Sequence, residues 1–363
     1  MGYEECIHYL INNNASPFQR DVNGLLPVHY VVIFGHAQIL PLFLEYKYDT
    51  MLDNYGFTLL HYACFYGHST SAEVLCENEH ILNTVEQQIQ KNRFTALHAA
   101  ASNGQDVCLS FLIHTFQSKY PNLVESKDHL GRSALHVCAS NDDTECANVL
   151  IQANCDLNAV SNNGDTPLML AVSKNSLNMV QILLENNADL KVVNKDRNSA
   201  LHLALISGHE ASAKLVLEKI EDIKFINSTN NNGDTALHLA ASKGFLVCVE
   251  ILLNKGASIW IKNHKSHSPL LSCAKNDAVA DCLDTMLSKF IHSTQLYDNN
   301  SSLFTSSTVL LNNDVNLFNN INSSNYDNLK NQQESNLNDL NTTCTLNQIG
   351  KCLLSFTLLF YHS

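Results

Sequence analysis

One short phrase recurs eight times along this chain, and that recurrence limits what it can fold into more than any other feature. Four copies are clear: DNYGFTLLHYACFYGH from residue 53, DHLGRSALHVCASND from 128, NNGDTPLMLAVSKN from 162 and NNGDTALHLAASKG from 231. Four more are weaker: DVNGLLPVHYVVIFGH from 21, NRFTALHAAASNG from 92, DRNSALHLALISGH from 196 and HSPLLSCAKND from 267. Aligned on one anchor, they fall at 29, 61, 98, 136, 169, 202, 238 and 271, with gaps of 32, 37, 38, 33, 33, 36 and 33. A period near 33 with occasional short insertions means one supersecondary unit built repeatedly. Such a unit is too small to bury a core alone, so the units must stack.

The phrase resembles the ankyrin-repeat signature T-P-L-H-x-A, and the resemblance implies an all-α ankyrin-repeat solenoid: helix–turn–helix units with β-turn or hairpin tips. The residues supply their own reasons. Thr58, Thr95, Ser133, Thr166, Ser199, Thr235 and Ser268 each precede an apolar run, where a hydroxyl caps a helix start. Pro27, Pro167 and Pro269 follow the cap position, where no amide hydrogen is needed. Gly24, Gly56, Gly131, Gly164 and Gly233 stand two residues before the cap and suit a turn with positive φ. A second apolar segment follows each phrase, as in residues 247–253.

Some copies depart from the pattern. Leu26 stands where the capping hydroxyl should be, Arg93 and Arg197 where the turn glycine should be, and Met169 and Leu271 where the histidine should be. Looser tips are expected at repeats one, three and six. The array opens in mid-phrase: residues 5–16 read as a second helix without its first, so 1–20 is a partial repeat and the whole reads as the C-terminal part of a longer array. The array is expected over 1–291, its last repeat degenerate. Asn and Ser dominate 292–348, and 292–363 is expected to be a mostly disordered tail.

The six anchor histidines, His29, His61, His98, His136, His202 and His238, invite a metal or catalytic reading. Each belongs to a different helix, and stacked helices lie about 8–10 Å apart, whereas zinc needs every donor within about 2.1 Å of one ion. They are expected instead to bond between adjacent repeats. The twelve cysteines form no C-x-x-C pair and fall within apolar patterns, which predicts reduced thiols and no metal. No nucleotide-binding, hydrolase or metalloprotease motif stands in a suitable context. The expectation is therefore a protein that is not an enzyme and has no cofactor. A net charge of −13 argues against nucleic acid as partner. No apolar run is long enough for direct membrane insertion. A cytoplasmic protein, or one also found in the nucleus, is expected. One modification site is visible: residues 150–158 (LIQANCDLN) resemble the pattern favoured by asparagine hydroxylases in ankyrin domains, with Asn158 as acceptor. A plain turn asparagine is the alternative.

Partners of stacked repeats bind along the tips and first helices. In repeat two the positions flanking the turn glycine and preceding the mid-repeat glycine are Asn54, Tyr55, Phe57, Phe65 and Tyr66; in repeat one they are Val22, Asn23, Leu25, Ile33 and Phe34. That is much apolar side chain for places expected to face solvent. Interface hot spots are rich in aromatics, so Ile33, Phe34, Tyr55, Phe57, Phe65 and Tyr66 form the candidate partner-binding patch. Further N-terminal repeats, or the tail, would cover the same surface. In repeats five and seven these positions are polar: Asn162, Asn163, Asp165, Lys174, Asn231, Asn232, Asp234 and Lys243.

Three segments resemble the C-terminal repeats of the ankyrin-repeat regulatory subunits of protein phosphatase 6: YGFTLLHYACFYGH (55–68), SALHLALISGHEASAKLVLEKIEDIKFIN (199–227) and LSCAKNDAVADCL (271–283). The resemblance covers residues 1–291. It implies a non-catalytic scaffold that joins the phosphatase 6 catalytic subunit and a SAPS-domain subunit and helps select phosphoprotein substrates. The alternative is an ankyrin-type membrane–cytoskeleton adaptor, or a general scaffold with no phosphatase.

Overall fold

The repeating phrase becomes a repeating pair of helices in a computed structural model of the chain. The structure describes residues 4–46, 51–78 and 94–272, with 282, 285 and 286. All of these belong to one unit, Met1–Phe318. The 292–363 segment, for which disorder was expected, lies outside the described residues, as do Arg93 and most of the degenerate last repeat.

The order is a lone helix α1 (Glu4–Asn12), then pairs: α2 (Pro27–Ile33) with α3 (Leu40–Leu44), α4 (Leu59–Tyr66) with α5 (Ser69–Cys76), α6 (Ala96–Ser102) with α7 (Asp106–Phe116), α8 (Ala134–Asn141) with α9 (Thr144–Gln152), α10 (Pro167–Lys174) with α11 (Leu177–Glu185), α12 (Ala200–Ile206) with α13 (Glu210–Lys219), and α15 (Ala236–Lys243) with α16 (Leu246–Asn254). A single turn, α14 (Ile223–Ile226), precedes the seventh tip, and α17 (Pro269–Ser272) opens the eighth repeat. α1 matches the expected leading second helix. One isolated antiparallel bridge, Thr229 to Thr235, is the sole β pairing among the described residues.

The core runs the length of the stack. First helices bury a small-residue face, such as Ala99, Ala100 and Ala101 or Ala240 and Ala241, which lets neighbouring repeats approach closely. Second helices add larger residues, among them Leu109, Leu150, Leu183 and Leu252, all completely buried. At about 25 cal/mol per Å² of apolar surface, this shared burial is what holds each short helix in place.

The first helices that carry an anchor histidine start alike, with the ring accepting the N-cap N–H. The Thr58 N–H donates to His61 Nδ1 at 3.2 Å, and the His61 N–H donates back to Thr58 Oγ1 at 3.4 Å. This is a capping box with histidine in the place of the usual glutamate. Because Nδ1 accepts, Nε2 carries the proton, and it donates to Phe94 O of the next repeat at 2.8 Å. The same link joins His98 to Arg132 O, His136 to Asp165 O and His238 to His267 O, at 2.9–3.0 Å. The expected bonding between repeats is therefore present at four of the six histidines. His29 Nε2 and His202 Nε2 are buried without a partner of hydrogen-bonding geometry; the Met51 carbonyl lies towards the first, and the Ser228 and Asp234 carbonyls towards the second.

At repeats one and six the tips are not loosened as expected; that of repeat three lies outside the described residues. At repeat one, Leu26 cannot cap with its side chain, yet its N–H donates to His29 Nδ1 at 3.0 Å and the turn closes from Asp21 N to Leu25 O. At repeat six Arg197 adopts φ +57°, the glycine conformation. Asn194 Oδ1 accepts from both Asp196 N and Asn198 N and holds the turn. The side chain that opens the tip does the work assigned to glycine.

Candidate protein-binding surface

The tips form a ladder. Asn54 N donates to Asn23 O, Asn162 N to Leu130 O, Lys195 N to Asn163 O, Asn231 N to Asp196 O and His264 N to Asn232 O, all at 2.8–3.2 Å. Within each described tip an Asp, Asn or Ser accepts the N–H groups two and four residues on; Asp53 Oδ1, for example, takes Tyr55 N and Phe57 N at 2.9 and 2.8 Å. Some apex side chains strengthen the ladder, since the amide groups of Asn54, Asn162 and Asn231 donate to Val22 O, His129 O and Lys195 O, while others, such as Val22 and Tyr55, project outward.

Two of the six residues proposed for the patch do project. Tyr55 is 62% exposed at the second tip and Phe34 is 59% exposed at the end of α2. Val22, at the first tip, is 92% exposed. Ile33 and Tyr66 are half-buried, and Tyr66 stacks on His68 with centroids 6.4 Å apart. Phe57 and Phe65 are buried, which removes them from the surface, as is Leu25. A side chain just before the cap points across to the next repeat, and a phenyl ring is long enough to reach it. Phe57 meets Phe94 edge to face at 5.8 Å, with His61 and Tyr62 at 5.5 and 6.5 Å. His29 meets Tyr62 at 5.6 Å, and Phe94 meets His98 at 5.4 Å. These rings make an aromatic spine through repeats one to three. The sequence carried its signal: an aromatic residue directly before the cap in two successive repeats.

A surface feature absent from the sequence reading lies beside Phe34. A groove of about 670 Å³ runs between α1 and repeat one, lined by Ile7, Leu10, Ile11, Tyr30, Phe34 and Phe43 among others. Tyr30 and Leu10 are themselves exposed. Among the described residues, the exposed aromatic side chains are Tyr9, Phe18, Tyr30, Phe34, Tyr55 and Trp260. All but one lie in the first 55 residues, so exposed aromatic surface is concentrated at one end of the stack. The Tyr30 hydroxyl donates to Asp21 Oδ2 at 2.7 Å, which fixes the ring at the groove's edge.

Asn158 has a structural task. Its Oδ1 accepts Asp189 N of the following repeat at 2.8 Å, and its own N–H donates to Asp156 Oδ1 at 2.9 Å. Asn227 does the same for Ser258 N at 2.7 Å. Among the described residues, one group of side chains has metal-ligand spacing: Cys138, Asp143 and Cys146. The group is hidden in the sequence because its two cysteines are eight apart, across an inter-helix turn.

The family described as ankyrin repeats matches residues 1–85, 78–161, 135–227 and 219–296, over most of the chain. The chain belongs to the ankyrin-repeat family. Its array is similar to the crystal structure of the ankyrin repeat domain of Bcl-3, described as a unique member of the IkappaB protein family. That likeness has a TM-score of 0.52 and 26% identity, and covers 63% of this chain and 99% of that one. Two curated relatives are the target of rapamycin complex 2 subunit AVO2 of Saccharomyces cerevisiae (strain ATCC 204508 / S288c), 29% identical over 113 residues (31% of this chain, 25% of that protein), and the probable E3 ubiquitin-protein ligase XBOS32 of Oryza sativa subsp. japonica, 30% identical over 152 residues (34% and 30%). The chain spans between a quarter and a third of these two relatives. The ankyrin-repeat fold makes it a protein-interaction scaffold, and no helix among its described residues is long and apolar enough to cross a membrane.

Proposed function

We propose that the chain is a non-catalytic, substrate-recognising subunit of a protein phosphatase 6 complex, acting in the cytoplasm or nucleus. Its partners are then the phosphatase catalytic subunit and a SAPS-domain subunit. The observation that carries the binding role is the concentration of exposed aromatic surface on repeats one and two and on the adjoining groove. Aromatic anchors beside a concave apolar pocket are what interface hot spots are made of. The phosphatase assignment rests on the resemblance of residues 55–68, 199–227 and 271–283 to that family's regulatory subunits. The AVO2 relative is itself, by name, a subunit of a larger complex.

The test is affinity purification from cells followed by mass spectrometry, with the wild-type chain and a Phe34→Ala/Tyr55→Ala double variant. Both residues are exposed, so the variant keeps the fold. The wild type is expected to recover phosphatase 6 catalytic and SAPS subunits, and the double variant to lose them. Recovery of neither by the wild type overturns the phosphatase assignment. Equal recovery by the variant moves the binding site elsewhere on the array.

A further inference from the structure

We propose that repeat four holds a thiophilic divalent cation, of the Zn(II) class, between Cys138 on α8, Cys146 on α9 and Asp143 at the turn that joins them. This goes beyond the scaffold reading and does not depend on it. One donor atom from each of the three residues, two Sγ and a carboxylate oxygen, lies within 4.8 Å of the other two. Donors around a tetrahedral Zn(II), with bonds of about 2.0–2.3 Å, sit roughly 3.5–3.8 Å apart. Side-chain rotation of about 1 Å closes the set, and three protein donors leave the fourth position for water.

The other repeats serve as internal controls. The position held by Cys138 is Ala63, Ala100, Ala171, Ala204 and Ala240 in repeats two, three, five, six and seven. The position held by Asp143 is His68, Gln105, Ser176, His209 and Phe245. The stacking geometry therefore requires neither a thiol nor a carboxylate, and repeat four is alone among these six in having both. Cys146 completes the group; its counterparts Cys108 and Cys248 stand in repeats whose other two positions are Ala100 with Gln105 and Ala240 with Phe245.

Capping accounts for only half of Asp143. Its Oδ1 accepts the Cys146 N–H at 3.1 Å at the start of α9. Its Oδ2 is buried and has no hydrogen-bond partner. The group beside the carboxylate is the Cys146 thiol, a weak donor, so the buried anionic oxygen is poorly satisfied, and a cation between it and the two sulfurs would satisfy it. Cys138 and Cys146 are both fully buried, while Asp143 is half-buried. Thiolates are the metal-binding form of cysteine, so metal must displace protons, and loading should weaken with acid.

The experiment uses the reduced full chain and Co(II), a spectroscopic stand-in for Zn(II). One equivalent per chain should give thiolate-to-cobalt charge-transfer absorption, displaced by Zn(II). Cys138→Ala, which restores the residue of five other repeats, should abolish the signal. Asp143→Asn keeps a capping oxygen and removes the charge; it should weaken binding at least about tenfold. Cys248→Ala should leave it unchanged. Absence of the absorption at stoichiometric metal overturns the proposal, and so does a signal that survives Cys138→Ala or is untouched in Asp143→Asn.

Discussion

Mild acid should weaken this array through its first-helix histidines, in a window set by their burial. His29, His61, His136 and His202 are each pushed down to about 4 from the ordinary 6.5, chiefly by burial. Their Nδ1 atoms accept a backbone N–H, as at Ser133 N to His136 at 3.1 Å, so a proton added there would face a donor. The unfolded chain takes up a proton on each imidazole near 6.5, and the folded chain does not until about 4. Above about pH 6.5 both states are neutral and the contribution is fully present. It is lost progressively as pH falls towards 4 and is constant below that. The slope is about 1.4 kcal/mol per proton per pH unit, so at about pH 5 each histidine costs about 2 kcal/mol. The four together approach about 8 kcal/mol, an upper figure because denatured chains keep some burial. His98 and His238 are lowered for the same reason and steepen the fall. Carboxylates act in a separate window. Burial opposes ionisation of Asp21, but the Tyr30 hydroxyl and the Leu25 and Asn23 N–H groups outweigh it and hold Asp21 below 3.8, so its contribution is lost only in stronger acid. The assay is the urea midpoint by far-ultraviolet circular dichroism between about pH 7.5 and 5. His136→Gln, with a neutral side chain able to accept the cap N–H, should remove about one proton from the dependence. A midpoint that holds or rises towards pH 5, or an unchanged slope in His136→Gln, would refute the reasoning.

Two further perturbations separate structural roles that look alike in sequence. Gly131→Ala should destabilise by more than Gly208→Ala, although both glycines have positive φ, +72° and +82°. The left-handed conformation costs each alanine about 1–2 kcal/mol, but at Gly131 the new Cβ would also lie 2.7 Å from Asn162 N and break the tip ladder, whereas Gly208 has nothing within 4 Å; thermal melts of the two variants decide it. Phe57→Ala should cost about 3–5 kcal/mol, as for a buried core phenyl, and Tyr55→Ala, two residues away and exposed, close to nothing; equal midpoints in urea would show that the aromatic spine is not structural.

Much of the fold was legible because one set of bonds repeats. Thr58, Ser199 and Thr235 cap where a hydroxyl precedes an apolar run, and Gly24, Gly56 and Gly233 take positive φ where a tip turns. The binding surface was less legible. Phe57, Phe65 and Leu25 occupy places where later repeats carry polar residues, and a one-dimensional pattern gives no direction to a side chain. A polar residue at 165 or 234 remains in water, as Asp165 partly does, while a phenyl ring at 57 turns inward to its neighbour's ring. The groove beside Phe34 was invisible for a related reason: it is made by α1 and repeat one together, and neither segment signals it alone.

The intact tips at repeats one and six explain why an array can carry such variation. At repeat six, a left-handed arginine costs on the order of 1 kcal/mol. Against that stand the two bonds to Asn194 Oδ1 and the rungs from Lys195 N to Asn163 O and from Asn231 N to Asp196 O. Each rung is backbone to backbone, so it demands no particular side chain at the apex, although Asn231 adds a bond from its amide to Lys195 O. At repeat one, the His29 ring keeps its half of the capping box by accepting the Leu26 N–H, and the His29 N–H turns to Leu26 O instead of a hydroxyl. Stacking therefore depends on a few positions per repeat, namely the tip acceptor, the capping box and the small first-helix face. The positions left over carry no structural demand. Val22, Phe34 and Tyr55 are among them; at 138, on the small face itself, the sulfur goes beyond the alanine with which five other repeats manage. Residues that the fold does not require, yet that gather in one place, are where function is to be sought in a chain built this way.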